Sequence, residues 1–330
     1  MQPIKRILVA VKNPRQKSFP ALNKAAALAR ALDAELELFH AISGPIAFDA
    51  FSDEAMRKYE HTERQRNLKR LESTAEALRR KGLAVKTAVE WDYPSHEAVI
   101  RHARRSRSDL IVVGQHATAH VARWLLRYTD WELLRQSPVP VLLVKKPRPY
   151  RTPKVLAAVD PSHSFAKTAQ LDRVILDVGK AVSGAARGAM HVVHAYVPTI
   201  DDISEGQLRQ PDATQLIIGH AALQATKRLD KTLHSAGLDD LKRSRRHLIA
   251  RHPTDAIPAL AKKLGCDIVV MGALSRSGLK RFFIGNTAER LFDDLPCDLL
   301  IVKPPGFKSQ VPNGIRGPEL YFPTPPTGMI

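Results

Sequence analysis

The sequence predicts an α/β protein made of two tandem, doubly wound parallel sheets with five strands each. Short runs of leucine and β-branched residues alternate with amphipathic helical stretches. The runs lack the polar alternation of half-exposed strands, which is typical of parallel strands covered on both faces. Four of these runs recur in the same order in both halves of the chain. The strand–helix order implies right-handed crossovers and an open, twisted sheet in each half.

An internal duplication accounts for the chain length of 330 residues. The matching segments are 7–12 with 155–160, 38–41 with 192–195, 109–114 with 267–272, and 140–145 with 298–303. We therefore expect one domain over residues 1–147, the first repeat, and another over 154–305, the second repeat. Three prolines between Lys146 and Pro153 predict a stiff linker at 148–153, and residues 306–330 are expected to form an extended tail.

Helical stretches separate the predicted strands. In the first repeat they cover residues 21–32, 54–80, 97–105 and 130–136, and in the second 166–181, 216–236, 255–264 and 287–294. Gly82 follows the long charged stretch 54–80 and has the character of a glycine that ends a helix.

Composition indicates an intracellular globular protein. Cys266 and Cys297 are the two cysteines, and both stand among apolar residues, which argues against a disulfide framework and a structural zinc site. The chain starts directly with a predicted strand and has no apolar run of membrane-spanning length. We expect a cytoplasmic location.

The formal net charge of +18 suggests an anionic partner such as a nucleotide, a nucleic acid or a membrane surface. Arginines dispersed over solvated helix faces explain the same total without a partner. The most basic stretches, 101–107 and 242–247, carry no interleaved aromatic residues for base stacking. Sequence-specific nucleic-acid binding is therefore not expected, although loose attraction to phosphates stays open as an alternative function.

A ligand site is expected at the carboxyl ends of the strands in the second repeat, near the topological switch point. Asp160 ends the first strand there and can accept hydrogen bonds from an amine or a hydroxyl. Gly272 ends the fourth strand and begins a loop that leads to Gly285, Asn286 and Thr287. Glycines and a helix N-terminus let backbone N–H groups approach an anion, although these residues are equally suited to turn a strand end and cap a helix.

The first repeat lacks these residues. Lys12 stands in the place of Asp160, and Gly114 is the one glycine that remains in the equivalent loop. Arg127, Tyr128 and Thr129 replace Gly285, Asn286 and Thr287. We therefore expect a degenerate site in the first repeat.

The chain resembles tandem members of the universal stress protein family, and looks most like the two-domain E type. The residues that carry the resemblance are the segments 155–160, 267–272, 285–289 and 296–303, together with 129–135 and 138–141 in the first repeat. The resemblance covers residues 4–147 and 153–305. It implies an architecture like that of the adenine nucleotide alpha hydrolases and a role in the stress response.

The resemblance also implies ATP as a ligand of the second repeat. ATP-binding members of the family share a loop of the form G-x2-G-x9-G-[S/T]. Gly272 and Gly285 match its first and last glycines at the family's spacing. Ser275 takes the place of the second glycine, and Asn286 that of the Ser/Thr, with Thr287 one residue later. Asp160 would lie near the adenine.

No catalytic constellation is predicted, so we expect a binding protein that signals through protein contacts. Ser162 and His163 are adjacent on a strand-to-helix turn, and no G-x-S-x-G elbow accompanies them. A nucleotide-using hydrolase or transferase of the same fold is the enzymatic alternative, but the loops after the first strands lack its phosphate-binding glycines and serines. His40 and His194 recur at equivalent positions and are expected to be satisfied loop histidines rather than metal ligands.

Family members commonly pair through their last strands. We therefore expect the segments 140–145 and 298–303 to join the two halves as an intramolecular pseudo-dimer. The resemblance also leaves room for a homodimer. No membrane partner is expected.

Overall fold

The structure is a computed structural model of the chain. It describes residues 3–16, 19–43, 45–47, 53–115, 123–162, 166–198, 213–273, 291, 294–317 and 319–321. The statements below refer to these residues.

The first half contains four strand–helix alternations, a closing strand and one additional short strand. Its elements are β1 (Arg6–Ala10), α1 (Pro20–Leu32), β2 (Glu35–Ile42), β3 (Pro45–Ala47), α2 (Asp53–Arg79), β4 (Val85–Trp91), α3 (Ser95–Arg105), β5 (Leu110–Gly114), α4 (Arg123–Gln136) and β6 (Val141–Val144). The sequence did not predict β3.

The second half repeats this order. Its elements are β7 (Lys154–Ala158), α5 (Ala166–Ala185), β8 (Ala189–Tyr196), α6 (Ala213–Ser235), β9 (Arg246–Ala250), α7 (Pro253–Leu264), β10 (Ile268–Gly272) and β11 (Asp298–Val302), and the tail adds β12 (Glu319–Tyr321). Of the predicted helix 287–294, Leu291 and Asp294 are described, and both are helical.

The chain divides into two compact units. The N-terminal unit comprises 4–141 together with the described residues of 309–330, and the C-terminal unit comprises 142–308 with the first residues of the chain. In the N-terminal unit the strand order is β4-β2-β1-β5, and the pairs are parallel. Tail strand β12 pairs in parallel with β3 in a separate small sheet.

In the C-terminal unit the order is β6-β11-β10-β7-β8-β9. The pairs β7–β8, β8–β9, β7–β10 and β10–β11 are parallel. Strands β1, β5, β7, β10 and β11 are almost wholly buried, which explains why they read as apolar runs without alternation. The predicted α/β fold class is confirmed.

The compact units differ from the sequence repeats at β6. Residues Leu142–Val144 belong to the first repeat but cluster with the C-terminal unit. Within that unit, the buried carboxylate of Asp298 accepts the backbone N–H groups of Lys145 at 2.8 Å and Lys146 at 3.1 Å, and also the hydroxyl hydrogen of Tyr150. These bonds fasten the start of the linker beside β11.

Glycines with a positive φ follow several of the helices. Two examples are Gly82, with φ +81° three residues after α2 ends, and Gly265, with φ +63° directly after α7. Both angles lie in the left-handed region that glycine adopts at little cost. No helix in the described part of the chain is long and apolar enough to cross a bilayer.

Candidate functional site

The switch point of each unit lies between the first strand of the repeat and its fourth core strand. In the C-terminal unit these are β7 and β10, which pair in parallel with Met271 opposite Ala158. Asp160 follows β7 by two residues, and Gly272 is the last residue of β10. The topology therefore places both predicted residues at the same edge of the sheet, where open α/β folds bind ligands.

Asp160 is held in a network with a second carboxylate. Its backbone N–H donates to Asp172 Oδ1 at 3.0 Å, and the Ser162 hydroxyl donates to the Asp160 carboxylate. Asp172, on α5, is 3% exposed. Burial, followed by the Asp160 charge, raises the pKa of Asp172 to about 7, although the hydrogen bond from the Asp160 backbone opposes the shift. Asp172 is thus half-protonated near neutral pH.

Gly272 has a packing role. A Cβ atom at this position would lie 2.4 Å from Cδ2 and 2.7 Å from Cγ of Leu171 on α5. Leu171 is 4% exposed and cannot move away freely. Helix α5 therefore approaches the end of β10 too closely for any side chain at residue 272, whether or not a ligand binds there.

His194 lies on β8, the strand that pairs with β7. Its side chain is 1% exposed. Burial lowers the pKa of His194, and the nearby Asp160 charge opposes that shift. The imidazole is accordingly neutral at physiological pH.

The remaining predicted site residues lie outside the described residues. They are Ser275, Gly285, Asn286 and Thr287. The phosphate-binding role predicted for this loop therefore stays a prediction.

The first repeat contains a cavity of about 180 Å³ at its own switch point. Apolar residues from β1, β2, β5 and α3 form most of its wall. Its lining comprises Ala10, Val11, Lys12, Phe39, Ala41, Ser43, Ser95, His96, Val99, Val113, Asp130 and Leu133. The expectation of a degenerate site did not anticipate an open volume here.

The polar end of this cavity is an ion pair. Lys12 Nζ donates to Asp130 Oδ1, and the two side chains are 24% and 3% exposed. Burial lowers the pKa of Lys12 and raises the pKa of Asp130, so the attraction between them offsets only part of the desolvation cost. The Lys12 ammonium is therefore paired with the Asp130 carboxylate, and the pair presents little net charge to a ligand.

Comparison with known proteins identifies the family. The universal stress protein family profile matches residues 3–145 and 152–303. The chain belongs to the universal stress protein family. It carries two universal stress protein domains in tandem, as the sequence predicted.

Universal stress protein E of Escherichia coli K12 is 30% identical over 236 residues, which cover 70% of this chain and 72% of that protein. A Pseudomonas aeruginosa PAO1 protein described as functionally unknown has a similar structure, with a TM-score of 0.70, 25% identity and coverage of 91% and 93% of the two chains. A universal stress protein from Archaeoglobus fulgidus shares the fold, with a TM-score of 0.59, 14% identity and coverage of 91% and 96%.

Several polar residues at the two universal stress protein sites were not singled out by sequence reasoning. Asp172, Asp130 and His96 are examples. A lysine at the end of a buried strand needs an anionic partner, so Lys12 gave a signal for Asp130. Asp172 and His96 gave none, because each lies on a helix whose rotation relative to the sheet is set by tertiary packing.

His40 and the first basic stretch have structural roles. Both recurrent histidines lie on strands, β2 and β8, and not in loops as expected. His40 Nδ1 lies 2.7 Å from the Val11 carbonyl oxygen. Arg101 is buried against Asp92, and Arg105 is paired with Glu90. The described residues contain no group of three His, Cys, Asp or Glu side chains placed to hold a metal ion.

Proposed function

We propose that this universal stress protein is a stress-response regulator that binds a small anionic ligand in its second repeat. An adenine nucleotide such as ATP is the ligand that fits the family pattern at residues 272–287. The observation that carries the proposal is the position of Asp160 and Gly272 at the carboxyl ends of neighbouring strands, at the switch point of the C-terminal unit.

The charges near Asp160 favour one orientation of the nucleotide. Asp160 is accompanied by Asp172 at hydrogen-bond distance from its backbone. Two neighbouring carboxyl groups repel phosphates but accept hydrogen bonds from a ribose hydroxyl or an exocyclic amine. The nucleoside end would therefore lie at Asp160, and the phosphates would extend toward the loop that contains Gly285, Asn286 and Thr287.

The first repeat is proposed not to bind the nucleotide. Lys12 already bonds to Asp130 at the equivalent strand end. A triphosphate entering this cavity would meet a buried carboxylate and a lysine whose charge is already compensated. Signalling would then depend on the occupancy of the second repeat alone, through partner surfaces that differ between the bound and free forms.

Native mass spectrometry of the purified chain, before and after incubation with Mg-ATP, tests this proposal. We expect one nucleotide per chain. Asp160→Lys and Gly285→Arg, which copy the first repeat, should each abolish it. Gly219→Arg on the exposed surface of α6 adds the same charge away from the site and should retain the nucleotide. Absence of bound nucleotide in the wild-type chain would refute the proposal.

A parallel assay separates binding from catalysis. Phosphate release from Mg-ATP should stay at the level of the buffer if the protein is a regulator. Release that disappears in Asp160→Lys would favour the hydrolase alternative. The cytoplasmic location, the intramolecular pseudo-dimer and a homodimer remain predictions.

A further inference from the structure

We propose that the C-terminal tail is a strap that controls access to the cavity of the first repeat. The strap consists of residues 309–317 and 319–321, which cluster with the N-terminal unit although they follow the second repeat in sequence. The proposal is independent of nucleotide binding in the second repeat. It rests on where the strap is anchored.

The first anchor is backbone pairing. β12 pairs in parallel with β3, with Glu319 opposite Pro45 and Tyr321 opposite Ala47. β3 begins two residues after Ser43, which lines the cavity. The tail thus forms a two-stranded sheet with a segment that lies two residues from a cavity-lining residue in sequence.

The second anchor is a buried acidic site at the start of α3. The backbone N–H of Arg316 donates to Asp92 Oδ1 at 3.0 Å, and its guanidinium lies 3.3 Å from Glu97 Oε2. Ser95 and His96, which line the cavity, stand between these two carboxylates in sequence. Both anchors of the strap are therefore close in sequence to residues of the cavity wall.

Charge balance explains why Arg316 docks there. The Asp92 side chain is completely buried, and Arg101 bonds to it through Nε at 2.7 Å and Nη2 at 2.8 Å. Arg101 Nη1 bonds to Glu97 at 2.8 Å. Two carboxylates and one guanidinium leave one negative charge, which the Arg316 guanidinium neutralises. An uncompensated charge in a buried network is unfavourable, so this site attracts the strap.

A third set of contacts fixes the middle of the strap. Arg104 Nη1 donates to the Val311 carbonyl oxygen at 2.8 Å and to Asn313 Oδ1 at 3.1 Å. The Val311 side chain is 4% exposed. The strap is therefore packed as well as paired. Its anchors are exposed or partly buried hydrogen bonds and one ion pair, which are the kinds of contact that open locally without global unfolding.

Thiol labelling measures access to the cavity. Ser43→Cys places a thiol on the cavity wall, and its alkylation by iodoacetamide is followed by peptide mass spectrometry, which separates it from the buried Cys266 and Cys297. We expect alkylation at least about tenfold faster in a chain that ends at Lys308, because the protecting hydrogen bonds are lost. Ser235→Cys, on the surface of the C-terminal unit, should react equally fast with and without the tail.

Two further variants keep the test decisive if the shortened chain does not fold. Arg316→Pro removes the N–H that binds Asp92, whereas Arg316→Ala keeps it and removes the guanidinium. Each should accelerate alkylation of residue 43, and a synthetic peptide of residues 306–330 added to the shortened chain should slow it again. Equal alkylation rates in the full, shortened and Arg316→Pro chains would overturn the proposal.

Discussion

Replacing Asp172 by asparagine is expected to stabilise the C-terminal unit at alkaline pH and to leave it unchanged at acid pH. Asparagine keeps an oxygen that can accept the Asp160 N–H, so the hydrogen bond seen at 3.0 Å can persist. The change removes only the ionisable group. The side chain is 3% exposed, so its charge is poorly hydrated in the folded state.

The magnitude follows from the pKa. Burial raises the pKa of Asp172 from 3.8 to about 7, and each pKa unit corresponds to about 1.4 kcal/mol. The folded state holds this proton more tightly than the unfolded state, so stability is complete below pH 3.8 and falls as pH rises to about 7. Above pH 7 the loss of unfolding free energy approaches about 4 kcal/mol. This value is an upper bound for the stability that Asp172→Asn can gain.

Urea-dependent hydrogen exchange, measured on peptides of β7 and β10 at pH 4.5 and pH 8.0, gives the free energy of unfolding of this unit. We expect Asp172→Asn to gain about 2 to 4 kcal/mol at pH 8.0 and less than about 1 kcal/mol at pH 4.5. Asp177→Asn, five residues further along α5, is the control and should show no comparable pH dependence. All three tryptophans lie in the first repeat, so their fluorescence transition should not move. An equal effect at both pH values would refute the electrostatic explanation.

Three further changes test the packing and pairing of the two repeats. Asp130→Ala should destabilise the N-terminal unit by on the order of 3 kcal/mol, because the half-buried Lys12 loses the Asp130 carboxylate. In a urea titration followed by tryptophan fluorescence, the double variant Lys12→Met/Asp130→Ala should recover most of this loss. Gly272→Ala should lower the free energy of unfolding by about 1 to 3 kcal/mol through overpacking. Its control is Gly114→Ala, whose Cβ would lie 3.6 Å from the nearest side chain and which should be tolerated. Equal losses of stability in the two variants would contradict the packing role of Gly272. Tyr150→Phe should lower the free energy of unfolding by about 1 to 3 kcal/mol, because it removes a hydrogen bond to the buried Asp298 carboxylate. Hydrogen exchange of the β11 amides measures this loss. An unchanged exchange rate would show that the linker is not anchored at Asp298.

Sequence reasoning predicted the strands well because each buried parallel strand is a continuous apolar run. The run 267–272 and its partner 109–114 are examples, and the structure shows both as almost wholly buried strands. Glycine after α2 was also predictable, because Gly82 adopts a positive φ that other residues avoid.

The short strands β3 and β12 could not be predicted from the sequence. Each covers three residues, and they pair across more than 270 positions of the chain. Such a pairing joins segments that are distant in sequence, and no local pattern records it. The membership of β6 in the C-terminal unit could not be predicted either. It depends on contacts with β11, which is distant from β6 in sequence.

The cavity of the first repeat was missed for a different reason. Lys12 and the substitutions at 127–129 suggested that side chains fill the site. The cavity wall does contain a charged pair, since Lys12 bonds to Asp130. The same wall also contains the small residues Ala10, Ala41 and Ser43, which leave open volume. Sequence comparison records the charge at a position, whereas the space around it depends on all neighbouring side chains.

Calorimetric titration of the full chain with Mg-ATP tests the central claim most directly. The proposal predicts one binding site per chain, unaffected by Lys12→Met and weakened at least about tenfold by Asp160→Lys, which corresponds to about 1.4 kcal/mol or more of binding free energy. Two equivalent sites, binding that is lost in Lys12→Met, or no binding by the wild-type chain would contradict it.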